Sequence, residues 1–321
     1  MKDLIILGNG MAGMTAALYA KRANLDFKII GRDEYDFGQI SNAILVENFP
    51  CMESISGFDL AMKLHDQLEA NGIEIEEHEI TRVSKQLGKS ITKGHVPIFY
   101  KIEYADGTHD EAKAVIYALG ASHRQLNCVI DPEVSIHYCA LCDGALYKDK
   151  TIAIIGGGDV AFTQAEYLSK ICKAVTIVMC DENITAAPLT VDRVEKIDNI
   201  FILKNYPVEG IFKTADERII LQKKSYDRYQ LANLQADGVF VAIGMIPNTT
   251  PIDIYDVVNK DGYITALDTG ISMLNPGFFA AGDCRTKMTR QALTAASDGA
   301  NAVNSAIIYL RETNNENNNP R

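Results

Sequence analysis

The sequence predicts an α/β protein built from two Rossmann-like dinucleotide-binding domains. Two glycine-rich turns and one cysteine pair lead to that reading. Near the start, Leu4-Ile5-Ile6-Leu7 runs into Gly8-Asn9-Gly10-Met11-Ala12-Gly13 and then into a helical stretch over 14–23. In mid-chain, Thr151-Ile152-Ala153-Ile154-Ile155 runs into Gly156-Gly157-Gly158-Asp159-Val160-Ala161 and a second helical stretch over 162–170. Before this second turn lies His137-Tyr138-Cys139-Ala140-Leu141-Cys142-Asp143-Gly144.

Each turn reads G-x-G-x-x-G or G-x-G-x-x-A between a strand and a helix, the context a dinucleotide site requires. The glycines let backbone N–H groups approach a pyrophosphate, and the helix N-terminus adds partial positive charge. Further strands at 27–30 and 175–178 complete two βαβ openings. A single such turn can also be an unliganded loop; its repetition in one chain outweighs either copy. The acidic residue that commonly ends the second strand is missing, since Gly31-Arg32 stands there, with Asp33 and Glu34 following.

Between and after these openings the pattern is mixed. Apolar spacing predicts a helix over 57–71 (Leu60, Met62, Leu64, Leu68). Residues 73–111 alternate like antiparallel strands with a hairpin turn at Ala105-Asp106-Gly107-Thr108. Residues 114–120 and 237–244 each read as a buried strand closing on a glycine. More strands are expected over 199–235, with Lys223-Lys224 as a solvated basic patch. A last helix runs from near Gln291 to about Leu310, and the asparagine-rich end, 313–321, is expected to be disordered.

The chain has 321 residues, 47% hydrophobic and 23% charged, enough for two domains with cores of their own. A net charge of -11 argues against a nucleic-acid binder and offers no pull towards anionic membranes. No apolar run is long enough to span a bilayer. The start shows no basic n-region or long apolar h-region. Seven cysteines, mostly isolated, do not form a secreted disulfide framework. The expectation is a cytoplasmic protein.

Cys139 and Cys142 can close a small disulfide ring and reopen it, storing two electrons, with the thiolate as the attacking species. Asp143, directly behind, is placed to pass protons to and from the sulfurs. A CxxC is also half of a zinc site, or an inert pair. Zinc needs four ligands, however, and Cys51, Cys128, Cys172, Cys180 and Cys284 are scattered without a second CxxC. No metal is expected, and redox activity is the favoured reading.

Together these segments resemble the low-molecular-weight thioredoxin reductases over nearly the whole chain. The motifs that carry the resemblance are residues 8–13, Gly38-Gln39, Glu47-Asn48-Phe49-Pro50, residues 139–144, residues 156–161, Gly282-Asp283 and Arg290-Gln291-Ala292. It implies a disulfide-reductase flavoprotein fold of two three-layer ββα domains, the second inserted into the first. Residues 1–113 and 244–321 would form a discontinuous FAD-binding domain. Residues 114–243 would form an NAD(P)-binding-like domain carrying the disulfide. The implied activity is FAD-dependent disulfide oxidoreduction by a homodimer, with thioredoxin as substrate. FAD contacts would fall on Gly8, Gly10, Met11, Ala12, Gly38, Gln39, Ile40, Asn48, Gly120, Gly282, Asp283, Arg290, Gln291 and Ala292. Cys142 would face the flavin, Cys139 would attack thioredoxin, and Asp143 would manage the proton.

One departure bears on the electron donor. Relatives that use NADPH carry an HRR cluster and a further arginine after the strand equivalent to 175–178. This chain has Met179-Cys180-Asp181-Glu182-Asn183-Ile184-Thr185 instead. Each charge-assisted hydrogen bond is worth about 1.5–3 kcal/mol, and Asp181 and Glu182 would repel a 2′-phosphate. Two donors remain: reduced ferredoxin, as in the pyridine-nucleotide-independent branch, or NADH with Asp181 on its ribose. The asparagine- and lysine-rich composition tips the expectation to ferredoxin. A small-molecule dithiol oxidase and a flavin-containing redox sensor are the rival functions.

Overall fold

The computed structural model describes residues 1–43, 46, 48–88, 96–223, 233–272 and 274–318, with side chains to 313. Glu47 and Lys224 lie outside the described residues. The chain opens with β1 (Lys2–Leu7), α1 (Met11–Arg22), β2 (Phe27–Gly31), α2 (Gly57–Ala70) and β3 (Ile75–Glu77). Next come β4 (Ile80–Leu87), β5 (Ile98–Tyr104), β6 (His109–Tyr117) and β7 (Ala121–His123). A middle stretch follows with β8 (Val129–Ile130), β9 (Ile136–His137), α3 (Ala140–Asp143), β10 (Thr151–Ile155), α4 (Asp159–Leu168) and β11 (Ala174–Val178). It continues through α5 (Pro188–Val194), β12 (Ile200–Leu203), β13 (Val208–Lys213), β14 (Ile219–Lys223), β15 (Leu234–Ala236) and β16 (Gly238–Val241). The last elements are β17 (Met245–Pro247), β18 (Ile252–Asp253), β19 (Phe278–Ala280) and α6 (Ala292–Asn318).

The chain divides into two compact units, residues 1–122 with 246–321, and residues 123–245. An expected boundary between 113 and 114 would cut β6 in half. Its second half pairs in parallel with β1, Leu4 with Ala114 through Leu7 with Tyr117, so it belongs to the first unit. That unit carries the sheet β18-β4-β5-β6-β1-β2-β3, with β19 also on β6. Residues 75–77, expected in an antiparallel run, pair in parallel with β2. The hairpin at 105–108 joins β5 to β6 as expected.

Strand periodicity makes the layers. On β1, Leu4 and Ile6 face a core closed by α1, α2 and α6, while Ile5 and Leu7 face one closed by β4 and β5. The second unit repeats the plan. Its parallel sheet β12-β11-β10-β16-β9 turns Ile152 and Ile154 towards α4 and Phe240, and Ala153 and Ile155 towards the small sheet β15-β14-β13-β8. Both units are thus three-layered. Helix α6 runs to Asn318, past the expected end at Leu310, and the Thr313 hydroxyl bonds back to the Tyr309 carbonyl at 3.0 Å. Among the described residues no helix is long and apolar enough to cross a membrane.

Helices α1 and α6 meet where Gly299 has no side chain: a Cβ there would lie 2.1 Å from the Ala12 carbonyl oxygen. Gly299→Ala forces the two helices apart. The expected loss is roughly 1–3 kcal/mol, the usual range for overpacking; a thermal unfolding midpoint equal to that of the parent would contradict it.

Candidate active site

In the first unit, Gly8 holds φ +105°, and a Cβ on it would lie 2.5 Å from the Ala118 carbonyl oxygen. A Cβ on Gly13 would lie 1.7 Å from the Gly8 carbonyl oxygen, so α1 presses directly on the turn. Gly10 caps α1 without a side-chain hydrogen bond, leaving the first-turn amides for another acceptor. Helix α2 differs: Ser56 Oγ accepts from the Asp59 N–H at 3.0 Å.

All the expected cofactor residues lie in this unit. Gly8 abuts the chain just before Gly120, and Gly10 approaches the Phe37 carbonyl just before Gly38. Met11 and Ala12 open α1, and Ala12 lies against Gly282, where a Cβ would come within 3.1 Å of its methyl. Gln39 donates to the Ala121 carbonyl, while the Ile40 carbonyl sits against Gly57. Asn48 donates to Gln291 Oε1 at 3.2 Å, joining two segments that are 243 residues apart. Ala292 is the first residue of α6. Three buried polar atoms on these segments have no hydrogen-bond partner in the protein: Asp283 Oδ1, which lies 3.7 Å from Lys287 Nζ, Arg290 Nε and Ser41 Oγ. Burial pushes the Asp283 carboxyl up, against the pull of Lys287 and Arg290. An acceptor, a cationic donor, a hydroxyl and an open helix N-terminus fit the ribityl hydroxyls and pyrophosphate of FAD.

Two residues here escaped the sequence reading. Asp298 on α6 accepts from the Gly282 N–H at 3.0 Å, from Arg285 at 3.0 and 3.1 Å, and from Lys287 at 2.9 Å. It is the buried anion that shapes the turn before Asp283. A lone acidic residue in a run of small residues was its only signal. Asn9 fills the space beside Gly31, donating to the carbonyls of Asp33 and Glu34 at 2.8 and 3.2 Å. The absent acid at the end of β2 is thereby replaced by an amide packed from the glycine turn itself.

In the second unit, Cys139 and Cys142 form a disulfide with Cα atoms 5.3 Å apart. Cys139 caps α3, its Sγ accepting from the Cys142 N–H at 3.2 Å and its carbonyl from the Asp143 N–H at 3.0 Å. Both cysteines are half-buried, and Leu141 between them is exposed. Asp143 is buried. Its Oδ2 lies 3.0 Å from His137 Nδ1, and its Oδ1 has no partner. His137 Nε2 lies 2.7 Å from the Tyr147 hydroxyl. Burial, then the charge of Asp143, pushes the Tyr147 phenol up. In the sequence His137 is only a near neighbour of the cysteine pair, two residues before Cys139.

The second glycine turn repeats the first. Gly156 has φ +151°, and a Cβ there would lie 2.4 Å from the Ala242 carbonyl oxygen. The segment after β11 folds back on it: Thr185 and Ala186 donate to the Gly157 carbonyl at 2.9 and 3.2 Å. Asp159 accepts from the Ala187 N–H at 2.8 Å. Asp181 and Glu182 are exposed, and no lysine or arginine occurs from 174 to 187. Cys180 and Cys284 take no part in either site. Burial raises both thiols, that of Cys284 to about 12.

Residues 2–299 match the family model described as pyridine nucleotide-disulphide oxidoreductase. A thioredoxin reductase of Listeria innocua is 35% identical over 313 residues, covering 97% of this chain and 94% of that protein. One of Bacillus subtilis is 34% identical over 313 residues, covering 97% and 95%. The solved thioredoxin reductase of Streptococcus pyogenes superposes with a TM-score of 0.84 at 32% identity, covering 97% of this chain and 99% of that one.

Asp298→Ala leaves Arg285 and Lys287 buried with much of their counter-charge gone. Breaking a buried pair in this way costs roughly 3–5 kcal/mol. A denaturant titration should show a loss of that order; a change below about 1 kcal/mol, the range of exposed ion pairs, would contradict it.

Proposed function

The chain belongs to the pyridine nucleotide-disulphide oxidoreductase family and, within it, to the thioredoxin reductases, and on that premise we propose that it reduces the disulfide of thioredoxin with electrons from a donor other than NADPH. FAD is the cofactor of this family, and when bound it relays electron pairs from the donor to the Cys139–Cys142 disulfide. In this reading the amides of Gly10, Met11 and Ala12 hold the pyrophosphate and Asp283 holds the ribityl hydroxyls. Gly8 and Gly120 keep the backbone clear. Gly38, Gln39, Ile40, Asn48, Gly282, Arg290, Gln291 and Ala292 complete the cofactor walls.

The observation that carries the reading is the disulfide of Cys139 and Cys142 with a buried carboxyl, Asp143, directly behind it. Once the pair is reduced, the Cys139 thiolate attacks the thioredoxin disulfide. One S–S bond breaks and a mixed disulfide forms, while the departing thiolate takes a proton from Asp143. Cys142 then attacks Cys139 Sγ, restoring the internal disulfide and releasing dithiol thioredoxin. The donor must be at least as reducing as thioredoxin, about -270 mV. By resemblance the working form is a cytoplasmic homodimer.

Reduced ferredoxin is placed first as donor. Its support is the segment after β11, where Asp181 and Glu182 are exposed and no lysine or arginine occurs from 174 to 187. NADH is the second reading, favoured by the intact Gly156 turn and the bare N-terminus of α4 at Gly158. Packing on Ala242 accounts for the same turn without a ligand.

Anaerobic reduction of the flavin decides between them. Bleaching with thioredoxin reduction by reduced ferredoxin alone is expected; fast bleaching by NADH would make Asp181 a ribose ligand, and bleaching by NADPH would overturn the choice of a donor other than NADPH. Peroxide production from small dithiols, with thioredoxin left oxidised, would move the assignment to a dithiol oxidase.

Cys142→Ser should abolish turnover and accumulate a Cys139–thioredoxin adduct, visible by mass under non-reducing conditions. Activity near that of the parent would overturn the assignment of both cysteines.

A further inference from the structure

His137 ends β9 at the edge of the parallel sheet of the second unit, and its side chain is 3% exposed. Both ring nitrogens are engaged, Nδ1 with Asp143 Oδ2 at 3.0 Å and Nε2 with the Tyr147 hydroxyl at 2.7 Å. The fold makes room for this chain of groups. The Tyr147 ring lies on Gly238, where a Cβ would come within 2.2 Å of Cε1. Phe240 covers the imidazole, ring centroids 5.1 Å apart. Lys150 Nζ stands 5.7 Å from the centroid of the Tyr147 ring.

Donor and acceptor chemistry orders the chain. An ionised carboxylate only accepts, so Nδ1–H donates to Oδ2. The neutral imidazole then accepts at Nε2, from the Tyr147 hydroxyl. One oxygen of Asp143 is held in this way. The other, Oδ1, is buried and has no partner in the protein.

We infer that His137 is a positioning residue for proton transfer at the disulfide, holding Asp143 by Oδ2 so that Oδ1 remains the oxygen that exchanges the proton. The inference concerns the thiol–disulfide step of the function proposed above and rests on that reading only for the identity of the substrate. When an external thiolate attacks the Cys139–Cys142 bond, that S–S bond breaks and a new one forms to the attacker. The cysteine sulfur that departs takes the proton carried on Asp143 Oδ1. Water reprotonates the carboxylate, and the Nδ1–H bond to Oδ2 persists throughout. The second thiolate of a dithiol then releases the enzyme as a dithiol, so two electrons and two protons are transferred.

The test is the reduction of the oxidised, FAD-loaded full chain by dithiothreitol, anaerobically, across a pH series, with the free cysteines alkylated and counted by mass. Asp143→Asn defines the part of the rate that depends on the carboxyl. His137→Phe is expected to lose on the order of tenfold at neutral pH, within the range of general acid–base effects, with the loss confined to the Asp143-dependent part of the pH–rate profile. The Asp143→Asn/His137→Phe double variant should match Asp143→Asn within about twofold, as groups acting as one unit do. Tyr147→Phe keeps the ring and should lose less of that same part of the rate. If His137→Phe fails to fold, Tyr147→Phe carries the test. An unchanged Asp143-dependent rate in the folded variants, or losses that multiply in the double variant, would overturn the inference. Thioredoxin turnover is measured alongside. Coupled profiles with dithiothreitol and no thioredoxin reduction would keep the role of His137 and discard the substrate reading.

Discussion

The fold depends on a backbone-to-backbone approach that no side chain can enter. At Gly8 and again at Gly156 the turn leaving the first strand of a βαβ opening lies against the carbonyl that ends the neighbouring strand, Ala118 in one unit and Ala242 in the other. Both glycines hold positive φ, a conformation that carries a steric penalty for other residues. The approach fixes where the following helix begins, and hence where its unpaired amides stand. Each neighbouring strand then ends in the same short phrase, Ala118-Leu119-Gly120 or Ala242-Ile243-Gly244. One local constraint, used twice, sets the frame of both units.

What differs between the two frames is charge. In the first, Asp298 gathers Arg285, Lys287 and the Gly282 amide, and Asp283 and Arg290 keep atoms without a hydrogen bond inside the protein. That turn is supported from behind and open in front. In the second, the loop beyond β11 bonds back to Gly157 and shows acids to solvent. Identical backbone geometry can therefore serve a ligand in one copy and packing in the other. The donor question turns on this difference.

Much of this was legible in the sequence because it is local. The glycine turns, the apolar runs of β1 and β10, the hairpin at 105–108 and the CxxC all declare themselves within ten residues or so. The residues that were missed act at longer range or through a neighbour. Asp298 reaches back 16 residues to Gly282, and Asn9 reaches 24 residues to Asp33. His137 was close in sequence, but its role depends on the turn of α3 that brings Asp143 beneath it. The expected boundary between 113 and 114 came with the family resemblance, and only the pairing shows that β6 stays whole, joined to β5 by its first half and to β1 and β19 by its second.

Cys139 and Cys142 are three positions apart. A ring so short removes little freedom from an unfolded chain, because the entropy of closing a loop grows with its length. Opening it therefore costs the second unit less than opening a long loop would, about 2 kcal/mol by the same relation. The segment is held instead by ordinary packing: Ala140 lies in the helix-side core, and Gly144 sits tight against Leu168. The bond that carries electrons is not one that carries the fold, so the protein can break it at every turnover without approaching its own unfolding transition.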